Sequence, residues 1–310
     1  MKPLAAPAIK GTWGTLLLPI QDNEAIDLGR LRAEIAALAR AGLQGVYSNG
    51  TAGEFYSQTE DEFDEISATL AAECERMGLP FQIGVSHMSA QISLERLRRA
   101  VSLRPVAVQV ILPDWMAVTL EEAVSFLLRM GEAASPIGLV VYNPPGAKRV
   151  LEPEEWHWVL ERVPPVVGIK VAGGDAAWYA RMQPVISRAS VFVAGHTLAT
   201  GVAHGAAGSY SNVACLSPRE AARWYESMHA DPARAGATEQ RLQAFFRAHI
   251  IPFITEQKYT NSAVDKLLAA IGGWAGIGTR LRWPYRSIPE AEAMRLREIA
   301  RRELPEWIAA

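Results

Sequence analysis

Short apolar runs alternate with amphipathic stretches along most of this chain, and that alternation limits the fold more than any other feature. It is the pattern of repeated βα units feeding a parallel sheet. The strand candidates are TWGTLLLPI (12–20), GVYSNG (45–50), PFQIGVS (80–86), VAVQVIL (106–112), IGLVVYN (137–143), VVGIKVA (166–172), SVFVAG (190–195) and GSYSNV (208–213). Helical patterns fill the gaps. In LGRLRAEIAALARAG the residues Leu28, Leu31, Ile35, Leu38 and Ala39 fall at helix spacing, and Gly42 supplies a stop. TEDEFDEISATLAAECERMG opens on Thr59 and an acidic first turn, favourable at the positive end of a helix dipole. Eight strands, most followed by a helix, fit an α/β fold of the closed (β/α)8 TIM-barrel type. An open doubly wound sheet is the competitor, weakened because no GxGxxG follows the first strand. Beyond residue 217 the pattern is all helix: PREAARWYESMHA, then roughly 233–256, 260–272 and 289–303. The expected organisation is a barrel core over 1–216, with 217–310 holding the last barrel helix and C-terminal helices packed on the barrel.

A chain of 310 residues with 49% hydrophobic content can bury a sizeable core, and a net charge of −2 gives no argument for nucleic acid or a membrane surface. Cys74 and Cys215 form no CxxC pair and read as small apolar residues in a reducing compartment. The first twenty residues lack the continuous apolar segment and cleavage site of a signal peptide, and no run approaches the length of a bilayer span. A cytoplasmic, soluble protein is the expectation.

VVGIKVA carries the most chemical information. Alternation along a strand puts Gly168, Lys170 and Ala172 on one face, and Val167, Ile169 and Val171 on the other. The β-branched face suits packing against helices. The small-residue face would then point into the barrel, leaving room around one long amine. Burial disfavours the charged form of lysine and so lowers its pKa, which makes the amine a nucleophile suited to imine chemistry. The competing reading is a lysine that snorkels from a strand end into water.

In IGLVVYN the same alternation groups Gly138, Val140 and Tyr142, placing a phenol at the end of the strand before the lysine. A phenol there can relay protons; a rim tyrosine packed under a loop is the alternative. GVYSNG runs into Gly50-Thr51-Ala52-Gly53-Glu54. Glycines at a strand end let the backbone approach a ligand, and successive N–H groups with the Thr51 hydroxyl can hold a carboxylate. An ordinary βα turn would look similar. All three segments fall at the C-terminal ends of strands, the face where barrels of this kind carry their sites.

With these pieces together, the chain resembles the dihydrodipicolinate synthase and N-acetylneuraminate lyase family of class I aldolases. The resemblance rests on GTAGE (50–54), YNPP (142–145) and GIKVAGGD (168–175), in that order, and spans about residues 10–300. It implies a barrel that works as a homo-oligomer, tetramer or dimer, without metal or organic cofactor. The lysine matching Lys170 forms an imine with pyruvate or another 2-oxo acid. The tyrosine matching Tyr142 shuttles protons, and Gly50, Thr51, Ala52 and Gly53 surround the substrate carboxylate. The distal pocket is expected from Trp115, Gly174, His196, Tyr210, Ser211 and Asn212.

Departures from the family pattern bear on the reaction. The synthases usually read Y-N-x-P-x-R, whereas YNPPGAK puts Ala147 where the arginine stands, followed by Lys148 and Arg149, which suit a solvated loop. Pro113-Asp114-Trp115 replaces a tyrosine pair after the fourth strand, and Ala52 replaces the second threonine of GTTGE. These differences point away from dihydrodipicolinate synthesis and towards a lyase, aldolase or dehydratase for a 2-oxo acid, such as a 2-keto-3-deoxy sugar acid. The synthase itself and a non-catalytic barrel that binds a small acid are the other readings.

Overall fold

The computed structural model describes residues 1–308. Eight parallel strands close in sequential order into a barrel: β1 (Gly11–Thr15), β2 (Gly45–Ser48), β3 (Phe81–Gly84), β4 (Ala107–Ile111), β5 (Leu139–Tyr142), β6 (Val166–Lys170), β7 (Ser190–Phe192) and β8 (Gly208–Tyr210). The helices are α1 (Leu28–Arg40), α2 (Glu60–Met77), α3 (Ala90–Ser102), α4 (Leu120–Ala134), α5 (Pro153–Arg162), α6 (Ala176–Ile186), α7 (Leu198–Ala203), α8 (Asn212–Leu216) and α9 (Pro218–Ala230). α10 (Pro232–Phe245), α11 (Ile251–Thr255), α12 (Asn261–Gly272) and α13 (Glu290–Glu303) complete the set. The fold is a TIM barrel with C-terminal helices, and one apolar core runs from Leu16 on the barrel to Leu268, Leu296 and Trp307 in those helices. No helix among the described residues is long and apolar enough to cross a membrane.

The observed strands are shorter than the apolar runs. β1 stops at Thr15; Leu16 still donates its N–H to Tyr47 O on β2 at 2.9 Å, and Leu17 and Leu18 are buried beyond the ladder; Pro19 after them has no N–H for a ladder. β2 ends before Asn49, which takes a left-handed backbone (φ 52°) that asparagine tolerates, with its amide donating to Ser67 Oγ at 3.0 Å. β8 is three residues long because Ser211 caps α8, its side chain accepting from the Ala214 N–H. The helix expected over 233–256 is interrupted by a π-helical segment, Phe246–Ile250. Pro252 follows it, and a proline can neither donate to the preceding turn nor fit against it.

Between β5 and β6 the register slips by one residue: Leu139 pairs with Val166 but Val140 pairs with Gly168. The extra residue, Val167, is therefore not on the helix-facing side with Ile169 and Val171, as alternation predicted. It packs with the cluster inside the barrel, formed by Trp13, Tyr47, Val140, Phe192 and Tyr210. Gly138 makes space for it, since a Cβ there would sit 2.5 Å from a Val167 methyl. The bulge restores the inward direction for Gly168 and Lys170, which pair with Val140 and Tyr142.

The chain's first ten residues close the end of the barrel at the strands' N-termini. Leu4 N–H donates to Val106 O at 3.0 Å, and Ile9 is completely buried within the inner cluster. The opposite end stays open.

Candidate active site

Lys170 is the last residue of β6, paired in register with Tyr142, the last residue of β5. Its Nζ lies 4.1 Å from the centre of the Tyr142 ring, 5.1 Å from that of Tyr47 and 5.4 Å from that of Tyr210. The amine donates to Tyr47 Oη at 3.3 Å. Aromatic faces attract a cation but hydrate it poorly. Desolvation therefore dominates and brings the Lys170 pKa down to about 8, against the opposing pull of Asp265 and Cys215. Roughly a tenth of this amine is therefore uncharged at pH 7, far more than of a solvated lysine.

The same burial works in the opposite direction on acids. Tyr142 is pushed up to about 12, with Asp265 adding to the effect. Tyr47 and Tyr210 are likewise raised, chiefly by burial; Tyr210 donates to Gln82 Oε1 at 2.8 Å. Asp265, on α12, is raised by desolvation to about 7, while Lys170 and the Cys215 thiol beside it pull it down. One wall of the site thus carries an amine and a carboxyl group that both titrate close to neutrality.

These groups border one cavity of about 370 Å³ at the strands' C-terminal ends, a size suited to a small-molecule ligand. Its floor holds Lys170, Tyr142, Tyr47 and Thr15. Its far wall is apolar: Phe246, Ile250, Ile251, Ile254, Val264 and Leu268. His196 borders it too, stacked on Phe246 with ring centres 5.6 Å apart. The Asn212 amide donates to His196 Nδ1 at 3.0 Å, which leaves Nε2 carrying the ring proton. Burial lowers the His196 pKa and favours that neutral ring. A larger hollow of about 460 Å³ lies elsewhere, between Arg40, Arg219, Arg223 and Glu306, and contains no buried nucleophile. Among the described residues no group of three or more His, Cys, Asp or Glu side chains is arranged to hold a metal ion.

The GTAGE loop is fixed by α12. Gly53 sits so close to β1 that a Cβ would be 2.9 Å from Leu16 O. Glu54 adopts φ 54°, and its carboxylate forms an ion pair with Lys266 of α12 at 2.5 Å, with side chains 1% and 0% exposed. Lys266 also donates to Arg280 O, and Ser262 Oγ donates to Thr51 O at 2.9 Å. One helix therefore holds the loop by Ser262 and Lys266 while delivering Asp265 to the cavity.

Of the residues singled out by sequence, the structure brings Lys170, Tyr142, Thr51, Ala52, His196, Tyr210, Ser211 and Asn212 around this cavity. Gly50 and Gly53 support the loop rather than line the space. Gly174 lies outside, exposed after the turn made by Gly173 (φ 89°) and set against Trp178. Trp115 is also outside, 66% exposed. Lys148 holds it there, donating from Nζ to Trp115 O at 2.5 Å and lying 5.0 Å from the indole centre, while its N–H binds Asp114. Arg149 is engaged by Glu155 at 2.5 Å. Sequence reasoning passed over Tyr47, Thr15, Asn261 and Asp265. Tyr47 was findable by alternation along β2. Asp265 shares a helix face with Asn261 and Leu268 in NSAVDKLLAAIG, where only two of twelve residues are charged.

The Dihydrodipicolinate synthetase family matches residues 8–302. N-acetylneuraminate lyase of Rhizobium meliloti is 26% identical over 300 residues, covering 94% of each chain. Trans-O-hydroxybenzylidenepyruvate hydratase-aldolase of Sphingobium xenophagum is 26% identical over 173 residues, 53% of this chain and 52% of that one, so the match spans about half the relative's length. Among solved structures, YagE of E. coli K12 in complex with pyruvate superimposes with a TM-score of 0.83 at 18% identity, over 95% of this chain and 98% of that one, a likeness of fold. A barrel closed in this strand order, with its lysine, tyrosine and GTAGE loop gathered at one mouth and a family match along nearly its whole length, belongs to the Dihydrodipicolinate synthetase family.

Proposed function

We propose that this protein is a Schiff-base-forming lyase or aldolase acting on pyruvate or another 2-oxo acid. The observation that carries the reading is a single amine, lowered to about 8 by burial, set among three phenol rings at the floor of the cavity. Neutral Lys170 Nζ attacks C2 of the oxo acid, and loss of water gives a protonated imine. That imine withdraws electrons, so the pair left when a C3–C4 bond breaks, or a C3 proton leaves, is held as an enamine. In this reading Tyr142, whose ring centre lies 4.1 Å from the amine, passes protons during addition and dehydration. Thr51 and the loop after it receive the carboxylate.

The far wall supports an apolar or aryl distal half for the substrate over a polyhydroxylated sugar acid. Phe246, Ile250, Ile251, Ile254 and Leu268 offer hydroxyl groups no partner, and a buried hydroxyl without one costs roughly 1–3 kcal/mol. The relative named as a benzylidenepyruvate hydratase-aldolase agrees with that choice. Dihydrodipicolinate synthesis is less well supported, because no arginine lines the cavity and Ala147 stands at the family's arginine position.

Borohydride reduction with pyruvate, followed by peptide mass mapping, tests the reading. A reduced adduct on Lys170, lost in a folded Lys170→Ala variant, is expected. An adduct on another lysine refutes the assignment, and no adduct with any 2-oxo acid favours a barrel that only binds small acids.

A further inference from the structure

The site contains more acid–base equipment than imine formation needs, and less of the ordinary kind than proton transfer at carbon needs. Three phenols surround the amine, but burial raises all three, so none is a competent base near neutrality. A phenol can pass a proton along only if some group at the end of the relay accepts it. The tyrosine pair of the synthases, which extends the relay in those relatives, is replaced by Asp114 and Trp115, and the indole lies outside the cavity. Among the residues lining the cavity there is one carboxylate, Asp265.

Asp265 is not there by accident of surface composition. It lies on α12, whose position is fixed on both sides of it: Ser262 donates to Thr51 O, and Lys266 is ion-paired with buried Glu54. The next residue's ammonium is thus committed elsewhere and leaves Asp265 to the cavity. The titratable groups that face it are Lys170 from β6, Tyr142 from β5, Tyr47 from β2 and Cys215 from α8. Its carboxyl is raised to about 7, chiefly by desolvation, which matches a base to neutral pH.

From this arrangement we infer that Asp265 is a further catalytic residue, whose carboxylate removes a proton from C3 of the pyruvate imine carried by Lys170 and returns it. The inference rests on the Schiff-base reading above. In the forward step the C3–H bond breaks and its electron pair becomes the C2=C3 double bond. The C2=N π pair returns to nitrogen, and the proton passes to an Asp265 oxygen. In the reverse step the protonated carboxyl gives the proton back to C3 and the iminium is restored. No oxidant, metal or second substrate enters the balance, so pyruvate alone is a sufficient probe.

Exchange of the pyruvate methyl protons in D2O, followed by proton NMR, reads this step directly, with borohydride trapping run in parallel. Wild-type protein is expected to exchange and to trap on Lys170. Asp265→Asn should trap at saturating pyruvate but exchange ~10²-fold or more slowly, the usual size of a general-base contribution. In Asp265→Ala, added formate should restore part of the exchange, which a purely structural role would not allow. Wild-type exchange in a trapping-competent Asp265→Asn overturns the inference while leaving the Schiff-base reading standing. So does wild-type protein that traps pyruvate without exchanging it. Loss of trapping in folded Asp265→Asn overturns it as well, assigning the carboxylate to imine formation. Absence of trapping in the wild type overturns both. Should the neutral variants not fold, the wild-type pH profile decides. At saturating pyruvate the exchange rate should climb with pH through about 7 as Asp265 ionises, and a flat profile overturns the assignment.

Discussion

Tyr142 offers Lys170 two separable things, a ring face 4.1 Å from Nζ and a hydroxyl. The face attracts the ammonium, an effect on the order of 1 kcal/mol. The hydroxyl moves protons. Tyr142→Phe keeps the first and deletes the second, so turnover is expected to fall by ~10²-fold or more and borohydride trapping on Lys170 to slow with it. Steady-state kinetics beside trapping checks this; near-normal turnover would reduce the hydroxyl to packing. Lys170 and Tyr142 were legible because a strand has only two faces, and a lysine flanked by Gly168 and Ala172 stands out on one of them. Asp265 was not, since a helix of the C-terminal region gives no sign of which barrel mouth its polar residue overhangs. Trp115 and Gly174 misled for a related reason: both lie in loops, where sequence carries no period, and contacts such as that of Lys148 with Trp115 O set the direction.

At the scale of elements, α12 is a brace. Lys266 and Glu54 are both taken out of water and depend on each other. Desolvation lowers the Lys266 pKa, and Glu54 resists that fall. Removing one partner of such a pair strands the other, so Lys266→Met is expected to cost about 3–5 kcal/mol of stability, read as a shift in the urea midpoint. A shift too small to resolve would mean that solvent replaces the ammonium beside Glu54, whose other oxygen already accepts from the Arg282 N–H at 3.4 Å. Helices such as α1 and α2 were readable from apolar spacing and caps, including the Thr59–Glu62 capping box. The π-helical segment before Pro252 and the bulge at Val167 were not. Each answers to a neighbour distant in sequence or to a local steric conflict, neither of which shows in a hydrophobic pattern.

For the molecule as a whole, the barrel needs a stopper. Eight apolar runs announce the closed sheet, but nothing periodic in MKPLAAPAIK announces that those residues seal one end. Ile9, fully buried there, is expected to lose about 2–5 kcal/mol on substitution by Ala, the range for deleting a large aliphatic side chain from a core. Thermal or denaturant melts measure this, and an unchanged midpoint would mean that the sheet holds without its seal. At the other end, the cavity has two authors. Its reactive floor comes from strands, whose geometry the closed ring dictates. Its far wall comes from Phe246, Ile250, Ile251 and Ile254, on the π-helical segment and α11, after the eighth strand has been laid down. Sequence drift in that late stretch can therefore change what fits beside the amine, with the strands that carry Lys170 and Tyr142 left untouched.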